Sequence, residues 1–77
     1  MKESSMTYLV VLERGDKSFG AYAPDLPGCV AVGKTADETL KLIKEAIEFH
    51  LEGLRKAGMK IPEPASRIEY VDVKAVA

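Results

Sequence analysis

Three carboxylates stand in or beside stretches of strand-like composition: Glu13, Asp25 and Asp72. Carboxylates that converge on two divalent metal ions can activate water and stabilise the leaving oxygen of a phosphodiester. No spacing forces these three together. Asp25 lies in a proline-rich run, Pro24-Asp25-Leu26-Pro27-Gly28, where aspartate is common because its carboxylate accepts from nearby backbone N–H groups. A structural turn is therefore the first reading of Asp25, with its carboxylate expected to cap the N–H groups of residues 26–28. Partner contact comes second and metal ligation last. Gly28, Gly33, Lys34 and Thr35 together spell G-x-x-x-x-G-K-T, formally a phosphate-cradling loop. The residues between the two glycines, Cys29-Val30-Ala31-Val32, read as strand, so nucleotide binding is set aside. His50 and Cys29 are the only histidine and cysteine, too few for the four soft ligands of a structural zinc or for an internal disulfide. No serine or carboxylate stands beside His50 to form a nucleophile–base set. We expect no metal, no cofactor and no catalytic residue, and a protein that binds rather than catalyses.

The elements that position these residues follow from pattern. Residues 6–13 are β-branched and aromatic-rich and read as a strand. Arg14-Gly15-Asp16-Lys17 is turn chemistry, and residues 18–23 read as a second strand paired through a hairpin. Gly20 inside it suggests a bulge or a close approach by another chain. The two prolines at 24 and 27 interrupt the ladder, and residues 29–33 resume it. Thr35-Ala36-Asp37-Glu38 is a capping box in which Thr35 accepts from the Glu38 N–H and Glu38 reaches back to the Thr35 N–H. Leu40, Ile43, Ile47, His50, Leu51 and Leu54 then recur at helical spacing, with Leu42, Ala46 and Phe49 widening the stripe. Gly58 is placed to end the helix. Ile61-Pro62-Glu63-Pro64 reads as a stiff connector, and residues 67–73 as a last strand. The order is β-β-β-α-β, an α+β sheet with one helix on one face.

Seventy-seven residues make one domain: residues 1–5 read as a disordered tail and 6–77 as the folded unit. So short a chain buries only about 60% of its unfolded surface and needs a disulfide, a metal or another subunit. Of these, self-association is left. The strand patterns agree. Tyr8, Val10 and Leu12 point one way while Leu9 and Val11 point the other, and Ile68 and Tyr70 oppose Val71 and Val73. One helix covers one face, so the second face, on the order of 400 Å², would contribute on the order of 10 kcal/mol gross if covered, at about 25 cal/mol per Å². This predicts a homo-oligomer (dimer or tetramer), a surface kept for a partner, or both, with Tyr8, Val10, Leu12 and Tyr70 as candidate oligomer contacts. Eleven basic residues against twelve acidic ones, net charge -1, give no general attraction to phosphate. The apolar run from Tyr8 to Leu12 is too short for a signal peptide or a membrane span, so no membrane contact is expected and the cytoplasm is the expected compartment.

The run Tyr22-Ala23-Pro24-Asp25-Leu26-Pro27-Gly28-Cys29, the Gly33-Lys34-Thr35 step before an acidic helix start, and Glu45-Ala46-Ile47 resemble the HicB-like antitoxin family of bacteria and archaea. The likeness runs from about Thr7 to Val73. It implies a partial ribonuclease-H-like sheet and, as partner, a small HicA-like toxin that cleaves messenger RNA and whose active site the antitoxin masks. The loop residues Tyr22, Pro24, Asp25, Leu26, Pro27, Gly28 and Cys29 become the candidate partner contacts. Leu26 reads first as a plug for the core and second as an anchor for the toxin. Many family members carry a C-terminal DNA-binding domain. Here the sequence reaches Ala77 just after the expected last strand, so DNA binding by this chain is not expected. The competing reading is a degenerate ribonuclease-H-like nuclease or nucleic-acid-binding domain.

Overall fold

In the computed structural model, residues 6–75 are described; the tail expected at residues 1–5 lies outside them. The helix forms where its caps stand. α1 spans Ala36–Lys56, and Thr35, in extended backbone, accepts from the Glu38 N–H at 3.0 Å. Glu38 closes the box on the Lys34 N–H at 2.6 Å, one residue earlier than the expected Thr35 N–H. Asp37 and Glu38 stand at the positive end of the helix dipole, Arg55 and Lys56 at the negative end. At the C-terminus, the Gly58 N–H donates to the Arg55 carbonyl and the Met59 N–H to the Leu54 carbonyl, the paired bonds of a glycine-terminated helix.

The sheet has three antiparallel strands in chain order: β1 (Val11–Arg14), β2 (Phe19–Tyr22) and β3 (Val30–Gly33). The class is the α+β expected. The first ladder begins at Val11 opposite Tyr22, five residues later than the strand read from sequence. The cause lies in β2's continuation: the residue that would next face β1 is Pro24, which has no N–H to offer, while the Ala23 N–H faces the other way and donates to the Cys29 carbonyl. Gly20 makes no bulge. It stands in register between Glu13 and Val32.

Cross-strand neighbours share a face, so the register sorts the side chains. Leu12, Ala21 and Ala31 lie on the helix side, together with Phe19 and Gly33; Val11, Tyr22 and Val30 lie on the other, followed by Glu13, Gly20 and Val32. The core consists of Ala21, Ala23, Leu26, Cys29 and Ile43. α1 lies over β3 and β2 and meets β1 least. It comes close to the sheet at Gly33, where an added Cβ would sit 2.6 Å from Thr39 Oγ1, so only glycine fits there. Thr39 is fully buried and satisfied, its hydroxyl donating to the Thr35 carbonyl at 2.7 Å.

The expected fourth strand is not formed. Residues 67–73 carry no ladder and are exposed. A strand needs a neighbour to satisfy its backbone, and the chain leaves the body before reaching one. Ile68, Tyr70, Val71 and Val73 stand in solvent, and the molecule measures 56 × 28 × 21 Å.

Candidate protein-binding site

The loop between β2 and β3 is knitted by its own backbone. The Leu26 N–H donates to the Ala23 carbonyl at 3.0 Å and the Cys29 N–H to the Leu26 carbonyl at 3.1 Å. Gly28 supplies the positive φ of 87° that closes the turn. Leu26 is 0% exposed and packs with Ala23 and Cys29 against Tyr8, Ala46, Ile47 and Leu51. It is a plug. Cys29 is buried too, and burial pushes its thiol pKa up, which keeps it protonated and unreactive. With those two side chains holding the loop from inside, Tyr22, Pro24, Pro27 and Gly28 remain on the outside.

Asp25 acts at longer range than the turn reading expected. Its Oδ2 accepts from the backbone N–H of Ala65 at 2.9 Å and of Ser66 at 3.0 Å, and Oδ1 accepts from the Ser66 hydroxyl at 2.8 Å. These bonds, led by that of the Ser66 backbone, hold its pKa below the usual aspartate value. Asp25 thus pins the segment after the helix to the loop instead of capping residues 26–28. Tyr8 makes a second tie, its hydroxyl donating to the Pro62 carbonyl. Burial raises the Tyr8 pKa, helped by the negative charges of Asp25 and Glu63. Among the described residues no three His, Cys, Asp or Glu gather into a set that could hold a metal. The G-x-x-x-x-G-K-T run is no phosphate loop, since Val30–Gly33 is strand and the Lys34 N–H is taken by Glu38.

Two apolar surfaces meet at this loop. On one side a cleft is lined by Gly28, Cys29, Ala46, Phe49, His50, Gly53 and Leu54. Phe49 is 83% exposed beside it. Sequence reading assigned Phe49 to the core stripe. The available signal was its position two residues after Ile47, which is roughly 200° round the helix. On the other side the bare face of the sheet begins with Val30, which is 64% exposed, and continues with Val32 at 66% and Tyr22 at 40%. Tyr8 and Val10, candidate oligomer contacts, are on neither surface. They line a groove of about 590 Å³ between the edge of the sheet and α1, with Leu40, Ile43, Ile47 and Leu51. Leu12 shares their side of β1, and Tyr70 lies far along the arm, 93% exposed. The structure thus keeps the seven loop residues together and separates Tyr70 from Tyr8, Val10 and Leu12. Among the described residues no helix is long and apolar enough to cross a membrane.

Comparison with known proteins places this architecture. Residues 8–75 match the family model described as HicB-like antitoxin of a bacterial toxin–antitoxin system. A 14.9 kDa protein encoded in the rep–hol intergenic region of Haemophilus phage HP1 is 31% identical over 67 residues, 87% of this chain and 50% of the phage protein, so the chain spans half of that relative's length. A UPF0150 protein of Thermoplasma acidophilum is 41% identical over 58 residues, covering 74% of this chain and 84% of the relative. Among solved structures, a chain of the HicA3 and HicB3 toxin–antitoxin complex superposes with a TM-score of 0.65 at 30% identity, over 78% of this chain and 70% of that one.

Proposed function

From the premise that the chain belongs to the HicB-like antitoxin family of bacterial toxin–antitoxin systems, we propose that it is a non-catalytic antitoxin that neutralises a small HicA-like, messenger-RNA-cleaving toxin by masking its active site, and that it self-associates. The observation that carries this is the apolar surface around the loop: exposed Phe49 on one side of Gly28 and Cys29, and Val30, Val32 and Tyr22 on the other. Exposed apolar surface of this kind marks interaction sites, and aromatic side chains set among small residues make effective anchors. The loop backbone is fixed by its internal bonds and by buried Leu26, so little ordering is needed on binding. Glu13 on the bare face adds negative charge suited to a basic toxin. Asp25 takes a structural part by holding the segment after the helix. That leaves its carboxylate engaged and unavailable as a metal ligand, which weighs against a nuclease. Operation in the cytoplasm, where messenger RNA is cleaved, belongs to the same reading.

The test is co-expression with a HicA-like toxin encoded beside the gene. Rescue of growth and co-purification of the two proteins are expected, and Phe49→Asp together with Val30→Asp should weaken capture by about a hundredfold or more. A toxin that stays active, in the presence of folded protein, overturns the proposal.

A further inference from the structure

Residues 67–73 have strand composition and no strand to join. The chain is tied down just before them, by Tyr8 at Pro62 and by Asp25 at Ala65 and Ser66. Beyond Ser66 it projects with Ile68, Tyr70, Val71 and Val73 mostly in water. It makes no ladder with its own β1, and residues 67–71 (R-I-E-Y-V) contain none of the Gly, Pro, Asn, Asp or Ser that would turn the chain back after the clamp.

The body presents the complementary vacancy. β1 is an edge strand. Tyr8, Leu9 and Val10, just before it, have no ladder partner in β2, whose register with β1 starts at Tyr22. Beside that edge runs the groove lined by Tyr8, Val10, Leu40, Ile43, Ile47 and Leu51. We propose that residues 67–73 of one copy pair with residues 7–13 of a second copy, Ile68 and Tyr70 standing beside Tyr8 and Val10 and entering the second copy's groove, and that the exchange is reciprocal. This deepens, and rests on, the self-association put forward above.

Length, side-chain parity and charge each favour this occupant. Residues 67–73 and 7–13 are both seven residues, about 23 Å as extended strand. Alternation puts Ile68, Tyr70 and Asp72 on one side of the arm and Val71 and Val73 on the other. The first set meets the groove. The second set adds to the bare face that Val11, Tyr22 and Val30 share, which accounts for apolar residues on both sides of the arm. α1 starts near the Phe19 end of the sheet, where Thr39 meets Gly33, and reaches Tyr8 with Leu51. An arm parallel to β1 therefore brings Asp72 to Lys44 on the groove's rim. Pairing also supplies backbone partners to residues 8–10 and to the arm at once.

The test uses the full chain. Sedimentation at micromolar concentration should give a dimer. Ile68→Asp with Tyr70→Asp should weaken it by about a hundredfold or more with the helical circular dichroism unchanged. Mixing Val10→Cys protein with Tyr70→Cys protein under mild oxidation should give a disulfide-linked heterodimer, while the double-cysteine chain should form links between chains. A monomer in the parent protein overturns both self-association and exchange. A dimer that survives Ile68→Asp/Tyr70→Asp but is lost with Val30→Asp/Val32→Asp overturns the exchange alone, leaving self-association through the bare face. A link closed within one chain, or loss of toxin capture from the arm variant with the dimer intact, also overturns it.

Discussion

The sheet and the arm draw on the same residue types. Residues 11–33 hold Val, Leu, Phe and Tyr among charges, and residues 67–73 hold Ile, Tyr and Val among charges. The first set is folded by contacts within reach of its own hairpins: each ladder starts from a pair close in the chain, Arg14 with Phe19 and Tyr22 with Val30, and Leu26 and Ile43 disappear from solvent entirely or nearly so. The second set has its backbone tied only at its beginning, and Tyr70 is 93% exposed. Composition confers the capacity to be a strand. Whether a strand exists depends on an available edge, and for the arm that edge is not offered by its own chain.

The contrast can be broken most forcefully from inside. Leu26→Ala removes a side chain that is 0% exposed and should cost about 2–5 kcal/mol, close to the whole stability of so small a core. In protein dilute enough to be monomeric, Ile68→Ala should move stability by no more than about 0.5 kcal/mol. Paired thermal melts at low concentration check both, and equal effects would erase the distinction between body and arm. A smaller effect tests the helix that roofs the sheet. Thr35→Ala deletes the cap on the Glu38 N–H and should cost about 1 kcal/mol, read by urea titration, whereas a cap serving only the arm would leave the body's midpoint unmoved.

The gentlest perturbation acts at the joint between the two regions. The folded-state pKa of Asp25 is lowered, so the clamp's contribution is fully present above the ordinary aspartate value of about 3.9 and is lost as pH falls through the lower folded value. The amide resonances of Ala65 and Ser66 should therefore titrate together in acid, with a midpoint under the ordinary range, while those of β2 stay put. Asp25→Asn should abolish that titration. A midpoint at or above the ordinary value would mean that the clamp is not made in solution.

Local signals were legible in the sequence and distant ones were not. The capping box put the helix start at Thr35, Gly58 marked its end, and the hairpins and the α+β class followed from short-range pattern. Glu38 was misplaced by one amide because the choice between the Lys34 and Thr35 N–H depends on backbone angles at the cap. The late start of β1 depends on Pro24 in the neighbouring strand, and the role of Asp25 on residues forty positions away. Phe49 looked like core because a stripe read from spacing does not reveal how wide the underlying sheet is; α1 covers β3 and β2, and the ring falls outside them. The seven loop residues were read from sequence as one candidate contact, yet sequence did not show that Leu26 and Cys29 support the loop from beneath.

The clamp at Ser66 also sets where the chain is open to cleavage. Upstream, the backbone is fastened at Pro62, Ala65 and Ser66; immediately downstream come Arg67 and, later, Lys74, both in exposed backbone of the kind proteases need to thread. An isolated copy would be trimmed there first, and a copy whose arm is covered would be spared. The lifetime of these few residues then becomes a gauge of how much of the protein is partnered.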